Sequence, residues 1–93
     1  MMAAHLIATV NGGTLDQYDQ ASASLIKAGL PPGLLHHVCV PTDDGFMVIE
    51  TWESEEAIRD FTGSERFRQE IGATGMPAPE IEIRPVHYVA VSA

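Results

Sequence analysis

The sequence is poor in cysteine and in basic residues. Its single cysteine, Cys39, excludes an internal disulfide and any metal site built from several cysteines. The 93 residues contain 5 Lys and Arg against 13 Asp and Glu, which gives a formal net charge of −8. Nucleic acids and anionic membrane surfaces both bind cationic patches, so we expect neither as a partner. The first residues, MMAAHLIATV, lack the basic segment and the apolar run of a signal peptide, so we expect a cytoplasmic protein.

Hydrophobic residues make up 45 % of the chain, as in an ordinary globular protein. A chain of this length has room for one domain, which we expect to span residues 1–93. The apolar pattern predicts four strands and two helices. The strands cover residues 3–10, 34–41, 45–52 and 81–91, and the helices cover 15–28 and a segment from residue 55 that is interrupted at 62–65. Thr14 with Gln17 resembles a capping box, and Ser54 is a suitable N-cap.

The predicted order is β-α-β-β-α-β, which indicates an α+β ferredoxin-like fold with a four-stranded antiparallel sheet and both helices on one face. A strand with one wet face should alternate between apolar and polar residues. The second and third strands instead contain VCV and FMVI, which are apolar on both sides. We therefore expect a second copy of the chain to cover the open face of the sheet, so that the protein is a homodimer.

The segment HHVCVPTDDGFMVIETW contains two adjacent histidines and one glutamate among core-type residues. If the hairpin has two central residues, either Asp43-Asp44 or Asp44-Gly45, then His37 shares a face with Glu50 and Trp52. The first register places His37 opposite Glu50, and the second places it opposite Trp52. In both registers His36 points to the other face, whereas a loop of odd length with a bulge would reverse the assignment.

A histidine beside a carboxylate is a candidate catalytic pair. Glu50 can fix the tautomer of His37, which then removes a proton from a phenol or an activated C–H group, and Trp52 would stack on an aromatic substrate. The alternative is a structural pair that fixes the strand register, since a buried carboxylate needs a partner in any case. His87, predicted to point inward from the last strand, is a second candidate, which would line the pocket of the partner protomer or the dimer seam.

Two further pocket residues are Tyr18 and Phe61, on the inner faces of the predicted helices, where they would contact a bound substrate. A metal site is not expected, because His36 and His37 point to opposite faces of a strand and cannot bind one ion. No cofactor is expected either.

The stretch VIETWESEEAIRDFTGSERFRQ resembles the strand-to-helix signature of the dimeric α+β barrel superfamily, which includes antibiotic-biosynthesis-monooxygenase-like domains. The matching features are Trp52 to Ser54, the helix residue Phe61, and SERF at 64–67. HHVCVPTDDGF and PVHYVAV resemble a subgroup of small actinobacterial-type proteins within that superfamily. The resemblance implies a homodimer with face-to-face sheets and a pocket between the sheet and the helices of each protomer.

Members of this superfamily differ in activity. Some oxidise polycyclic phenols to quinones with oxygen and no cofactor, and a tryptophan in the position of Trp52 lines their pocket. Others degrade haem through a histidine on the second helix, and residues 54–71 contain no histidine. The resemblance thus implies a cofactor-independent monooxygenase-like enzyme that acts on an aromatic or polyketide-like molecule. The alternative is a non-catalytic homodimer that binds a small hydrophobic ligand or serves a stress response.

Overall fold

The structure, a computed structural model, describes residues 2–27 and 29–90. The elements follow the predicted order, with the second predicted helix divided in two. They are β1 (Ala4–Asn11), α1 (Leu15–Lys27), β2 (Leu34–Thr42), β3 (Gly45–Trp52), α2 (Glu55–Thr62), α3 (Glu65–Thr74) and β4 (Glu80–Pro85).

The four strands form one antiparallel sheet in the order β2-β3-β1-β4. This arrangement confirms the predicted α+β ferredoxin-like fold, and it places β2 and β4 at opposite edges of the sheet. The hydrophobic core lies where α2 meets the central strands: Ile58 of α2 and Trp52 of β3 are fully buried, together with Leu6 of β1. The helices therefore cover one face of the sheet and leave the other exposed in the single chain.

Local sequence signals fix where the helices begin. The capping box of α1 forms as predicted: the Gln17 amide donates to Thr14 Oγ1 (3.1 Å), and the Thr14 amide donates to Gln17 Oε1 (3.0 Å). Ser54 caps α2 by accepting a hydrogen bond from the Ala57 amide. Ser64 caps α3 in the same way, which explains the predicted interruption at 62–65.

The spacing of residues in the sequence predicts an inner stripe on α1 at Leu15, Tyr18, Ala21, Ser22, Leu25 and Ala28. The structure confirms this stripe in part. Tyr18, Ala21, Ser22 and Leu25 face the sheet, but Leu15 at the helix start is half exposed and Ala28 lies outside the described residues. Leu15 is exposed because the first turn of α1 does not lie over the cavity, whereas the later turns do.

The β2–β3 hairpin has the first of the two registers considered above. Thr42 pairs with Gly45, so that Asp43 and Asp44 are the two central loop residues. His37 then lies directly opposite Glu50. A feature that was not predicted is a β-bulge between Leu34 and His36, which leaves Leu35 exposed and returns Leu34 to the side of the helices.

The last strand is shorter than predicted and does not include His87. The prediction that His87 points inward from this strand is therefore wrong. β4 ends at Pro85, and the final backbone contact is the Val86 amide donating to the Ala3 carbonyl (2.9 Å). β1 begins at Ala4, and the described chain after Val86 lies beyond that end of the strand. His87 therefore lies beyond the sheet and is exposed rather than turned inward, whereas residue 91 lies outside the described residues.

The open face of the sheet is apolar at its centre, as the strand composition predicted. The register places Val38 of β2 beside Ile49 of β3, and Ile49 beside Ile7 of β1. Val38 and Val40 are 38 % and 40 % exposed in the single chain. This face therefore exposes an apolar area to solvent in the single chain.

Candidate active site

A cavity lies between the helix-covered face of the sheet and the three helices. It encloses about 770 Å³ of empty space when the part open to solvent is included. Its wall is mainly apolar. The polar side chains on it are those of Tyr18, Ser22, His37, Glu50 and Thr62.

Glu50 is the buried charged residue on this wall, and two donors hold its carboxylate. Glu50 itself is 9 % exposed. The indole nitrogen of Trp52 donates to Oε1 (3.1 Å), and His37 Nδ1 lies 2.6 Å from Oε2. Each carboxylate oxygen therefore has its own partner, as a buried carboxylate requires.

Tyr18 extends this arrangement into the cavity. Its hydroxyl oxygen lies 2.6 Å from Nε2 of His37, and the two rings are stacked with their centroids 5.9 Å apart. Phe46 contacts the other side of the phenol edge-on, at 5.4 Å. Tyr18, His37 and Glu50 thus form a continuous hydrogen-bonded set, which we call the polar triad.

The donors and acceptors of the polar triad follow from its chemistry. A carboxylate can only accept, so His37 donates its Nδ1 proton to Glu50. The neutral imidazole then has no proton on Nε2, which accepts the hydrogen bond from the Tyr18 hydroxyl. The arrangement would allow Nε2 of His37 to act as a general base, because the ring is oriented by a carboxylate and contacts a cavity.

Burial raises the pKa of Tyr18 above its ordinary value of 10.0, and negative charge at Cys39 acts in the same direction. Burial also raises the pKa of the Cys39 thiol above 9.0. Tyr18 therefore keeps its proton at neutral pH and can donate it to His37.

The structure brings together most, but not all, of the predicted site residues. Tyr18, His37, Glu50 and Phe61 line the cavity. Trp52 was expected to stack on a substrate, but its side chain is fully buried behind Glu50 and is not part of the cavity wall. His87 is likewise absent from the wall of this single-chain cavity.

Sequence reasoning missed two hydrogen bonds of the site. The contact between Tyr18 and His37 joins a helix to a sheet edge, and the only available signal was the position of Tyr18 on the inner stripe of α1. The indole donation from Trp52 to Glu50 runs between residues i and i+2 on the same strand face. That spacing was visible in the sequence.

Within residues 2–27 and 29–90, no three His, Cys, Asp or Glu side chains are arranged to hold a metal ion. In the same part of the chain, every helix is too short or too polar to cross a lipid bilayer.

Comparison with known proteins identifies the family. The profile of the antibiotic biosynthesis monooxygenase family matches residues 1–71, which is most of the chain. The chain belongs to this family. A search of curated proteins finds no match.

Solved structures of this family and of unassigned proteins share the fold. A putative antibiotic biosynthesis monooxygenase from Chloroflexus aurantiacus is 21 % identical, with a TM-score of 0.68 over 96 % of this chain and 97 % of its own. A cofactor-independent oxygenase from Streptomyces nogalater is 15 % identical, with a TM-score of 0.67 over 95 % and 94 % of the two chains. A protein of unknown function from Nitrosomonas europaea is 14 % identical, with a TM-score of 0.71 over 99 % and 95 %. At these identities the likeness establishes the fold.

The raised pKa of Tyr18 makes a prediction about alkaline pH. A spectrophotometric titration of the wild type, minus that of Tyr18→Phe, should give a phenol midpoint above 10.0. The folded state then holds this proton more tightly than the unfolded state, so the stabilisation is complete below pH 10.0 and is lost as the pH rises toward the raised pKa. A midpoint at or below 10.0 would show that Tyr18 is not buried as described.

Proposed function

We propose that the protein is a cofactor-independent monooxygenase that acts on a small aromatic or polyketide-like molecule in the cavity between sheet and helices. The observation that carries the proposal is the polar triad: His37, at the wall of an apolar cavity, has a buried carboxylate at Nδ1 and a tyrosine hydroxyl at Nε2. Membership of the monooxygenase family supports the same reaction class. So does the shared fold of the cofactor-independent oxygenase from Streptomyces nogalater.

The first step is removal of a proton from the substrate. A phenol or an enolisable ring ketone, bound against the apolar wall, gives its proton to the Tyr18 oxygen as Tyr18 passes its own proton to Nε2 of His37. The imidazolium that forms lies against the Glu50 carboxylate, at 2.6 Å, which stabilises its positive charge. The resulting substrate anion is electron-rich, while the apolar wall excludes water from it.

The second step is reaction of this anion with molecular oxygen. The substrate carbon is oxidised and O₂ is reduced to a peroxide bound to that carbon, which takes a proton back from His37 through Tyr18. Loss of the remaining ring C–H proton and cleavage of the O–O bond release water and leave a carbonyl. One oxygen atom thus ends in the quinone and the other in water, with no electrons needed from a further reductant.

Substitutions in the polar triad test the proposal. With anthrone as substrate, oxygen uptake and quinone absorbance above the uncatalysed rate are the measurements. His37→Ala should lower the rate about 10²- to 10⁴-fold, the usual contribution of a general base, and Glu50→Gln should lower it at least about tenfold because the tautomer is no longer fixed. His36→Ala is the matched control, since its ring lies on the opposite face, and it should retain the wild-type rate.

The outcome also separates catalysis from ligand binding. If anthrone binds but the wild type consumes no oxygen above background, the protein is a binding module. If His37→Ala and Glu50→Gln unfold while His36→Ala does not, the pair is structural. Circular dichroism and the molecular mass of each variant distinguish that case from a loss of chemistry alone.

We further propose that a second copy of the chain covers the open face of the sheet. Val38, Ile49 and Ile7 lie side by side there, and a continuous apolar surface of this kind is typical of a homodimer interface. The helices occupy the opposite face, so that each protomer keeps its own cavity.

The dimer is tested with two variants, one that places a charge on the open face of the sheet and one that places the same charge on the helix side. Light scattering should give twice 10.0 kDa for the wild type. Val38→Asp should give a folded monomer, because the aspartate is solvated in the single chain but would be buried in the dimer. Leu15→Asp places the same charge on the exposed start of α1 and should remain dimeric. A monomeric wild type, or a dimeric Val38→Asp, would contradict the proposed interface.

A further inference from the structure

A second concavity lies outside the first, along α2 and the segment that precedes β2. This outer groove encloses about 890 Å³, including its opening to solvent. Its wall differs in character from the cavity, since it includes the charged side chains of Glu53, Asp60 and Arg66 together with Ser64. Arg66 is already engaged, because it donates to the carbonyls of Ser24 and Leu25 at the end of α1.

Two residues, Phe61 and Pro31, line both the cavity and the outer groove. Phe61 is the larger, and aromatic neighbours hold its ring in place. The ring centroid of Trp52 is 5.5 Å away, and Phe67 contacts it edge-on at 5.1 Å. Phe61 thus forms a fixed partition between an apolar space and a polar one.

The partition restricts what can occupy the cavity. A flat, apolar ring system that lies against the polar triad is closed off on this side by Phe61. A ligand with a bulky polar substituent on that side needs the outer groove, where the carboxylates of Glu53 and Asp60 can accept hydrogen bonds from hydroxyl groups. The two spaces adjoin at Phe61, so removal of its ring would join them.

We infer that Phe61 is a specificity-determining residue, which confines the enzyme to compact aromatic substrates by separating the cavity from the outer groove. The inference rests on the proposed function for its substrate class. It assigns Phe61 no part in proton transfer, so its effect is on the choice of ligand and not on the chemistry.

Binding of two product-like ligands tests the inference. The probes are 1,8-dihydroxyanthraquinone and its mono-O-glucoside, measured by isothermal titration calorimetry, and the readout is the ratio of the two dissociation constants. The wild type should favour the bare ring at least about tenfold, and Phe61→Ala should reduce that preference at least about tenfold by opening the groove to the sugar. Ile71→Ala is the matched control, since Ile71 lines the cavity but not the groove and is not one of the rings that pack against Phe61.

The ratio for Ile71→Ala should stay within about threefold of the wild-type ratio, because a larger cavity alone admits no sugar into the groove. If Phe61→Ala fails to fold, Phe61→Leu should shift the ratio in the same direction by a smaller factor. Equal ratios for the Phe61 and Ile71 variants, or no binding of either ligand to any folded variant, would overturn the inference.

Both probes are already oxidised, so the ratio does not depend on turnover. A failure of the proposed monooxygenase reaction would appear as lost oxygen uptake with the ligand preference intact, whereas a failure of the inference would leave turnover intact with no effect of Phe61.

Discussion

The carboxylate of Glu50 lies inside the protein, and the rest of the site depends on how it is satisfied. An unpaired buried charge is costly, so the residues around Glu50 must supply donors. Trp52 supplies one from the same strand, and His37 supplies the other from the neighbouring strand. The donation from His37 fixes its tautomer, and the tautomer leaves Nε2 free to accept from Tyr18. The need of the buried Glu50 carboxylate for hydrogen-bond donors thus orients His37 as a base at the wall of an apolar cavity.

The register of the β2–β3 hairpin places His37 and Glu50 next to each other. A hairpin with Asp43 and Asp44 at its centre places His37 opposite Glu50 and turns His36 to the other face. A shift of one residue would turn His36, instead of His37, to the face that carries Glu50, and would turn His37 to the other face. The same alternation gives the sheet two different surfaces. One carries the polar triad under the helices, and the other carries the apolar centre around Ile49.

Much of this could be predicted from the sequence, because strand alternation and turn length are local properties. They gave the fold, the pairing of His37 with Glu50 and the opposite orientations of His36 and His37. These local properties could not predict how α1 is rotated and positioned against β2. That placement brings the Tyr18 hydroxyl into contact with His37. The end of β4 was missed for a similar reason, since it depends on where β1 begins and not on the residues around His87. Trp52 was predicted to line the cavity because strand alternation shows which face of the sheet its side chain is on. Alternation does not show that the side chain is fully buried below the cavity wall.

The central claim is that His37 carries its proton on Nδ1 and has a bare Nε2. Long-range ¹H–¹⁵N correlation spectra of the ¹⁵N-labelled protein at neutral pH, with His37 assigned from a His37→Gln variant, report this directly. The account predicts a protonated Nδ1 and an unprotonated, pyridine-type Nε2 for His37, and loss of that pattern in Glu50→Gln. A His37 ring protonated on Nε2, alone or together with Nδ1, would contradict it, because such a ring cannot accept a proton from Tyr18.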